Sequence, residues 1–303
     1  MDAPRPPLLA VVGDLVEDVV VWASEPVRHG TDTAARVFRT RGGSAANVAA
    51  LAAPLVATRF IGCVGPDAAG DALVTELEGR GVDVRVQRRG TTGAVVLVVD
   101  PDGERTMFPD RGASALLGAV DPAWLDGVAW LHVPSYGFER EPARSAVLAL
   151  VAEARRRGAG LSIDASSTGL LSALGVEQVL ALYRSLGPDV LFANETEAAL
   201  LGLGTDERRS APVAATVVVK HGPLPTHVFE DGRLVRTVPV ESVLGARDLT
   251  GAGDAFAAGF LAARLARSGV VEAVLTGHAA AARVITTAGA ATEVDGRSHV
   301  NQD

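Results

Sequence analysis

The stretch Asp248-Leu249-Thr250-Gly251-Ala252-Gly253-Asp254 concentrates the residue types that phosphate chemistry needs. Glycines let backbone approach a ligand closely. A run of small residues follows and predicts a helix over 253–266. The start of a helix carries free N–H donors and the positive end of a dipole, which suit negative charge developing on a phosphoryl group. Asp254 falls in that first turn, where a carboxylate could take a proton from a hydroxyl; the same residues would also serve as a glycine turn with an acid near a helix start. Other polar residues stand at strand ends. Asp18, Gly42, Gly43 and Asn47 surround the second glycine-rich stretch, Arg41-Gly42-Gly43-Ser44-Ala45-Ala46-Asn47. A carboxylate accepts hydrogen bonds, and an amide both accepts and donates them. Otherwise Asp18 is a salt-bridge partner, Asn47 a helix-start contact and the two glycines a tight turn.

Asn194 and Glu197 are three residues apart before an apolar run. That spacing fits a helix capping box. Lys220, the only lysine in the chain, precedes His221 and Gly222 after a β-branched run. It faces either phosphates or solvent.

Several common machineries are excluded. No G-x-x-x-x-G-K-[ST] phosphate loop is present, because Lys220 is followed by His221. Gly202-Leu203-Gly204 lacks a third glycine and a following helix, so no dinucleotide fingerprint exists. HExxH, G-x-S-x-G and the protein-kinase HRD and DFG sets are missing. A single cysteine, Cys63, precludes an intramolecular disulfide framework and reads as a buried strand residue.

The elements that must position these groups alternate along the chain. Strands are predicted over 8–12, 59–64, 94–99, 128–133, 161–164, 190–193 and 216–220, and a hairpin over 226–230 and 234–239 around Asp231-Gly232. Helices are predicted over 44–53, 71–79, 143–157, 176–186, 195–201 and 271–284. Such alternation implies a mainly parallel sheet covered on both faces, with ligands beyond the carboxyl ends of the strands. Residues 19–38 and 94–108 interrupt the pattern with β and turn signals, and could pair as a small sheet over the site.

The chain has 303 residues, 48% of hydrophobic type and 21% charged, which provides for a large core and argues against disorder. A net charge of −8 offers no electrostatic footprint for nucleic acid or anionic membrane. The N-terminus lacks a basic stretch followed by an apolar one, and the Ala-rich C-terminal region is interrupted by Glu272, His278 and Arg283. A cytoplasmic protein without a membrane span is the expectation.

The order of the motifs resembles that of the ribokinase-like, or PfkB, carbohydrate kinases. Asp248–Asp254 resembles that family's D-T-x-G-A-G-D, and Gly42 to Asn47 its G-G-x-x-x-N. Gly13 with Asp18 resembles G-x-x-x-x-D, Gly62-Cys63-Val64-Gly65-Pro66-Asp67 with Gly70 resembles G-x-V-G-x-D-x-x-G, and Asn194 to Glu197 matches N-x-x-E. With Lys220-His221-Gly222 the matches run collinearly from residue 8 to about 290. The resemblance implies one α/β domain over 1–303, a three-layer ribokinase-like fold with a small β-sheet lid formed by about 14–40 and 93–110. It implies an ATP-dependent kinase acting on a hydroxymethyl group of a small sugar, with Asp254 as base and the amides of Gly251, Ala252 and Gly253 as anion hole. Asp18, Gly42, Gly43 and Asn47 would bind the acceptor. Asn194, Lys220, Gly222 and His278 would hold the nucleotide, although a helix-surface role fits His278 as well. Glu197 would serve Mg²⁺; Asp248, Thr250 and residues 287–291 would serve a potassium ion, as backbone carbonyls do in several family members. An exposed lid edge would favour a homodimer.

Departures from the family concern the acceptor. Gly112-Ala113-Ser114 stands where many sugar kinases have G-A-N, and Asp164-Ala165-Ser166-Ser167-Thr168 where sugar-acid kinases have D-x-N-x-R. Arg111 reads as a loop brace or an anion contact. Trp22, Phe38, Met107 and Phe108 suit a nucleobase, a sugar face or ordinary packing. A nucleoside kinase of adenosine, cytidine or pseudouridine type is the alternative, and an inactive sugar- or nucleotide-binding sensor is the reading from a different class.

Overall fold

The computed structural model describes residues 6–102, 104–204, 213–241 and 250–286. Nine strands form the main sheet: β1 (Leu8–Val12), β4 (Thr58–Val64), β5 (Asp83–Arg88), β8 (Val128–Pro134), β9 (Gly160–Asp164), β10 (Val190–Asn194), β11 (Thr216–His221), β12 (Leu224–Glu230) and β13 (Arg233–Val238). Their order is β13-β12-β11-β10-β9-β8-β1-β4-β5. Pairing is parallel from β5 through to β11 and antiparallel where β12 and β13 extend the edge.

Successive strand residues point to opposite faces, and β1 shows what each face meets. Ala10 and Val12 enter one apolar core and Leu9 and Val11 the other, all fully buried. The first core is closed by α3 (Ala143–Arg156), α5 (Val176–Leu186) and α6 (Glu195–Leu201), through Leu150, Tyr183 and Leu201 among others. The second is closed by α1 (Ser44–Ala52), α2 (Ala68–Gly79), α7 (Ala252–Leu265) and α8 (Val270–Thr286). A helix-packed layer on each side of a parallel sheet is the expected three-layer arrangement. Cys63 lies fully buried in the first core, as its sequence setting indicates.

Small residues set the spacing of α7 and α8. A Cβ on Gly259 would stand 2.6 Å from the Thr276 carbonyl oxygen, and one on Gly277 would stand 2.8 Å from the Phe256 ring. No side chain larger than hydrogen fits either place, so the two helix backbones meet closely. α1 is similarly slim: Ala45, Ala46, Ala49 and Ala52 are buried. Alanine favours helix at no cost in side-chain entropy, and its size lets α1 press against α7.

Two elements lack a clear sequence signal. β5 alternates Val84 and Val86 with Arg85 and Gln87, an edge strand too polar to separate from a loop. α4 (Thr168–Leu174) is seven residues long, contains Gly169 and stops at Gly175, whose φ is 86°. A helix of two turns is too short to display periodicity.

A second sheet of four strands, β2 (Val16–Ala23), β3 (Ala35–Gly42), β6 (Thr92–Val99) and β7 (Arg105–Gly112), runs in the order β3-β2-β6-β7. The β2–β3 hairpin is anchored at the site at both ends. β2 leaves β1 through Gly13-Asp14-Leu15, and β3 enters α1 through Gly43. Gly43 has φ 95°, and a Cβ there would stand 2.3 Å from the Asp14 carbonyl oxygen, so this junction requires glycine twice over. Among the described residues no helix is long and apolar enough to cross a membrane.

Candidate active site

The carboxyl ends of the strands and the start of α7 open into one cleft of about 1510 Å³ under the small sheet. Asp254 lies on its floor. Gly251 caps α7 with φ 77°, a left-handed conformation suited to glycine, and Asp254 occupies the first turn. Two side chains from α1 hold the carboxylate: Ser44 Oγ donates to Oδ1 at 2.7 Å and Asn47 Nδ2 donates to Oδ2 at 2.9 Å. One turn of helix separates Ser44 from Asn47, so both face α7. Burial pushes the Asp254 carboxyl up to about 6; the bonds from Ser44 and Asn47 pull it down, Asp164 pushes it up and Lys220 pulls it down.

Asp18 enters from β2. Burial raises its carboxyl to about 6 as well, with Arg41 pulling down and Asp254 pushing up. Gly42 stands behind Asp18 and is not one of the cleft-lining residues. A Cβ at Gly42 would lie 2.0 Å from Asp18 Oδ1, so glycine there makes room for the acid. Gly43 and Asn47 reach the cleft wall directly.

Lys220 extends from β11 toward the start of α7. A Cβ added to Gly253 would stand 3.4 Å from Lys220 Nζ. The ammonium bonds Asp164 Oδ2 at 3.1 Å and lies 5.8 Å and 6.0 Å from the ring centroids of Phe192 and Phe256. Burial works against its charge, but Asp164, Glu197 and Asp254 outweigh that and raise its pKa. Lys220 is therefore a buried cation facing acids, not the solvated strand-end lysine that its sequence position also allowed.

Asn194 and Glu197 form a complete capping box. The Glu197 N–H donates to Asn194 Oδ1 at 2.9 Å, and the Asn194 N–H donates to Glu197 Oε2 at 2.8 Å. Burial, followed by Asp164, raises the Glu197 carboxyl. Both residues also line the cleft. Asp164 and Glu197 thus place two acids against one ammonium, a donor set that fits a hydrated divalent cation.

Gly222 turns β11 into β12 with φ 60° and lines the same wall. His278 of α8 also lines it; its Nε2 lies 2.8 Å from Thr226 Oγ1, its ring is tilted against Phe256, and burial lowers its pKa. Thr250 borders the cleft at the other end, with its hydroxyl accepting from Arg105 Nη1 of β7 at 2.6 Å. Asp248 and residues 287–291, expected to help hold a potassium ion, lie outside the described residues.

Arg111 is a brace. Its Nε and Nη2 donate to the two Asp14 carboxylate oxygens at 2.7 Å and 2.6 Å, and its Nη1 donates to Glu139 at 2.6 Å. Burial opposes the charge, yet those bonds raise its pKa above the usual value. Three contributors to the site have no role assigned from the sequence: Ser44, Arg41 and Asp164. Ser44 and Arg41 sit within the Arg41–Asn47 stretch, and Asp164 ends a strand; position was the signal in each case.

The pfkB carbohydrate kinase family model matches residues 7–296. An ATP-dependent ribose-1-phosphate kinase of Halopiger xanaduensis is 34% identical over 77% of this chain and 76% of its own length. A fructokinase of Klebsiella pneumoniae is 32% identical over 83% and 82%. The structure of Arabidopsis thaliana ribokinase complexed with ribose and ATP superposes with a TM-score of 0.77 at 24% identity, covering 94% of both chains, which shows the ribokinase-like fold. With its cleft, its fold and a family match over nearly its whole length, this chain belongs to the pfkB family of carbohydrate kinases and is a phosphotransferase.

Proposed function

We propose that the chain moves the γ-phosphoryl group of ATP to a hydroxymethyl group of a small, uncharged sugar, with Asp254 as the base. The observation that carries this reading is the placement of Asp254: in the first turn of α7, beside the amides of residues 251–253, and fixed by Ser44 and Asn47. A carboxylate raised to about 6 stays ionised at neutral pH and is a stronger base than an ordinary aspartate.

Asp18 and Asn47 orient the acceptor so that its hydroxyl meets Asp254. Asp254 takes the hydroxyl proton as the acceptor oxygen bonds phosphorus and the bond to the ADP oxygen breaks. The amides of Gly251, Ala252 and Gly253 stabilise the charge that develops; donors of this kind typically contribute about 3–4 kcal/mol each. Mg²⁺-bound ATP supplies the phosphoryl group, and positioning with charge stabilisation carries such transfers. Glu197 and Asn194, with Asp164, would hold the ion through water. Lys220 and Gly222 would face the phosphates and His278 the base. Potassium, held near Thr250 and Asp248, belongs to the same reading.

The uncharged acceptor follows from Arg111. Its guanidinium is committed to Asp14 and Glu139, so among the described residues the acceptor end presents carboxylates and no unclaimed buried cation for a phosphate or acid. The small sheet, from about 14–40 and 93–110, acts as the lid of a single domain over 1–303. Its closure excludes water from the phosphoryl group. Its exposed β3 and β7 edges would also support a homodimer, a reading that a monomer in light scattering removes.

ADP release with Mg-ATP and K⁺ is measured against ribose, fructose, ribose 1-phosphate, adenosine, cytidine, pseudouridine and no acceptor. Turnover with a free sugar is expected. Turnover confined to a nucleoside, or to ribose 1-phosphate, would overturn the acceptor assignment and leave the kinase. Silence with every acceptor, while ATP still binds, would favour a sensor.

A further inference from the structure

The hydrogen bonds behind Asp254 continue one residue deeper. The Asn47 amide has a donor end and an acceptor end. Its NH₂ donates to Asp254 Oδ2 at 2.9 Å, and its Oδ1 accepts from Arg41 Nη1 at 2.5 Å. Arg41 is 3% exposed, and its Nε is anchored 3.3 Å from Glu76 Oε1 on α2. The guanidinium has only donors to offer, so Asn47 cannot reverse without bringing its NH₂ against them.

That restriction matters when Asp254 changes protonation state. An ionised Asp254 is an acceptor and selects the Asn47 NH₂ unaided. Once it has taken a proton it becomes a donor, and an unrestrained amide would turn its oxygen to accept. Such a turn would stabilise the protonated acid and weaken the base.

We propose that Arg41 is a positioning residue that pins the Asn47 amide oxygen, so that Asn47 presents only a donor to Asp254 whether or not Asp254 carries a proton. The importance of this for turnover rests on Asp254 being the base. The geometry itself does not depend on that reading.

Other charged groups act on Asp254 and must be separated from this effect. Asp18 of β2 and Asp164 of β9 oppose its ionisation, Lys220 of β11 favours it, and Arg41 itself acts as a nearby positive charge. Removing Arg41 therefore works by two routes, lost charge and a freed amide. Arg41→Met loses both charge and donor. Only the freed amide needs Asn47, so the same change in an Asn47→Ala background isolates the lost charge.

The test uses the full chain labelled at aspartate ¹³Cγ, with the Asp254 resonance assigned by its loss in Asp254→Asn. It is titrated without substrate between about pH 4 and 9. Arg41→Met should raise the Asp254 midpoint by about one unit. In an Asn47→Ala background, Arg41→Met should move the midpoint by less than half as much. Equal shifts with and without Asn47 would show that Arg41 acts through charge alone and would overturn the proposal. If Arg41→Met does not fold, Arg41→Gln takes its place in both backgrounds: a shift at least halved by Asn47→Ala supports pinning, and an equal shift overturns it. Inactivity of the wild type on every acceptor would count against the proposed function while leaving this titration to be read on its own.

Discussion

The floor of the cleft and the small sheet above it are built to opposite rules. On the floor, Asp254 receives hydrogen bonds from Ser44 and Asn47, Asn47 is held in turn by Arg41, and Lys220 is held by Asp164. The helices that carry these groups meet through alanines and glycines that leave no slack. The small sheet presents Trp22, Val37, Met107 and Phe108 to solvent, each more than half exposed. β2 belongs to both regions: Asp18 is engaged with the floor and Trp22, four residues on, is bare. Chemistry needs groups held within a fraction of an ångström before the substrate arrives. Closure needs a part with few contacts to lose. On the proposed function, that difference would give catalysis to the floor and capture of the acceptor to the sheet.

The largest break in that division comes from Asp254→Asn. The amide keeps the shape of the floor and removes the base, so kcat should fall by at least ~10²-fold. ATP affinity, measured by calorimetry, should stay within about threefold, because its proposed contacts lie at residues 194–222, at His278 and in the backbone of the α7 start. A parallel loss of ATP binding would mean that Asp254 organises the nucleotide instead.

A smaller effect appears with pH. Asp254 and Asp18 both sit near 6 because burial disfavours their charge. They face each other, so the acid limb of kcat/KM belongs to the pair. Activity should be full above pH 7 and fall as pH drops through about 6. Stability moves the other way. In the unfolded chain these acids ionise near 3.9, so between about 4 and 6 the folded state holds protons that the unfolded state has released. Their contribution to stability is therefore greatest below about pH 4 and is lost as pH rises through about 6. The melting temperature of wild type relative to Asp254→Asn should consequently fall between about pH 4 and 6 and level off above about 7. A difference that does not change with pH would show that the floor does not hold Asp254 at a cost.

Sequence made the floor more legible than the way it is wired. Strand β1, helices α5 and α6 and the Gly251–Asp254 helix start could be read because apolar runs, periodicity and glycine carry them. β5 and α4 could not, since an edge strand with alternating arginine and a two-turn helix have no distinctive pattern. The motif stretch Arg41–Asn47 was visible as a unit, but nothing in it shows that Ser44 and Asn47 reach across some two hundred residues to one carboxylate. Asp164 was equally opaque: its partner Lys220 lies two strands away, with β10 between them. Pairings of this kind depend on strand order, which local spacing does not encode.

The smallest expected effect distinguishes the two faces of the small sheet. Met107 and Phe108 are neighbours on β7 and equally bare, at 59% and 58% exposure. Successive strand residues face opposite ways, and Met107 lines the cleft whereas Phe108 is not among its lining residues. If the sheet closes over the acceptor, Met107→Ser should raise the acceptor KM about fivefold, the loss of roughly 1 kcal/mol of apolar contact. Phe108→Ser should leave that KM within about twofold. Neither change should move unfolding free energy by more than about 0.5 kcal/mol, because neither side chain is buried. Steady-state kinetics and a urea transition on the two variants give all four quantities. Equal KM values would mean that β7 does not touch the bound acceptor, and the sheet would then be a surface for something other than capture. A change confined to Phe108→Ser, accompanied by a shift in sedimentation, would point to its outer face as the contact between two copies of the chain.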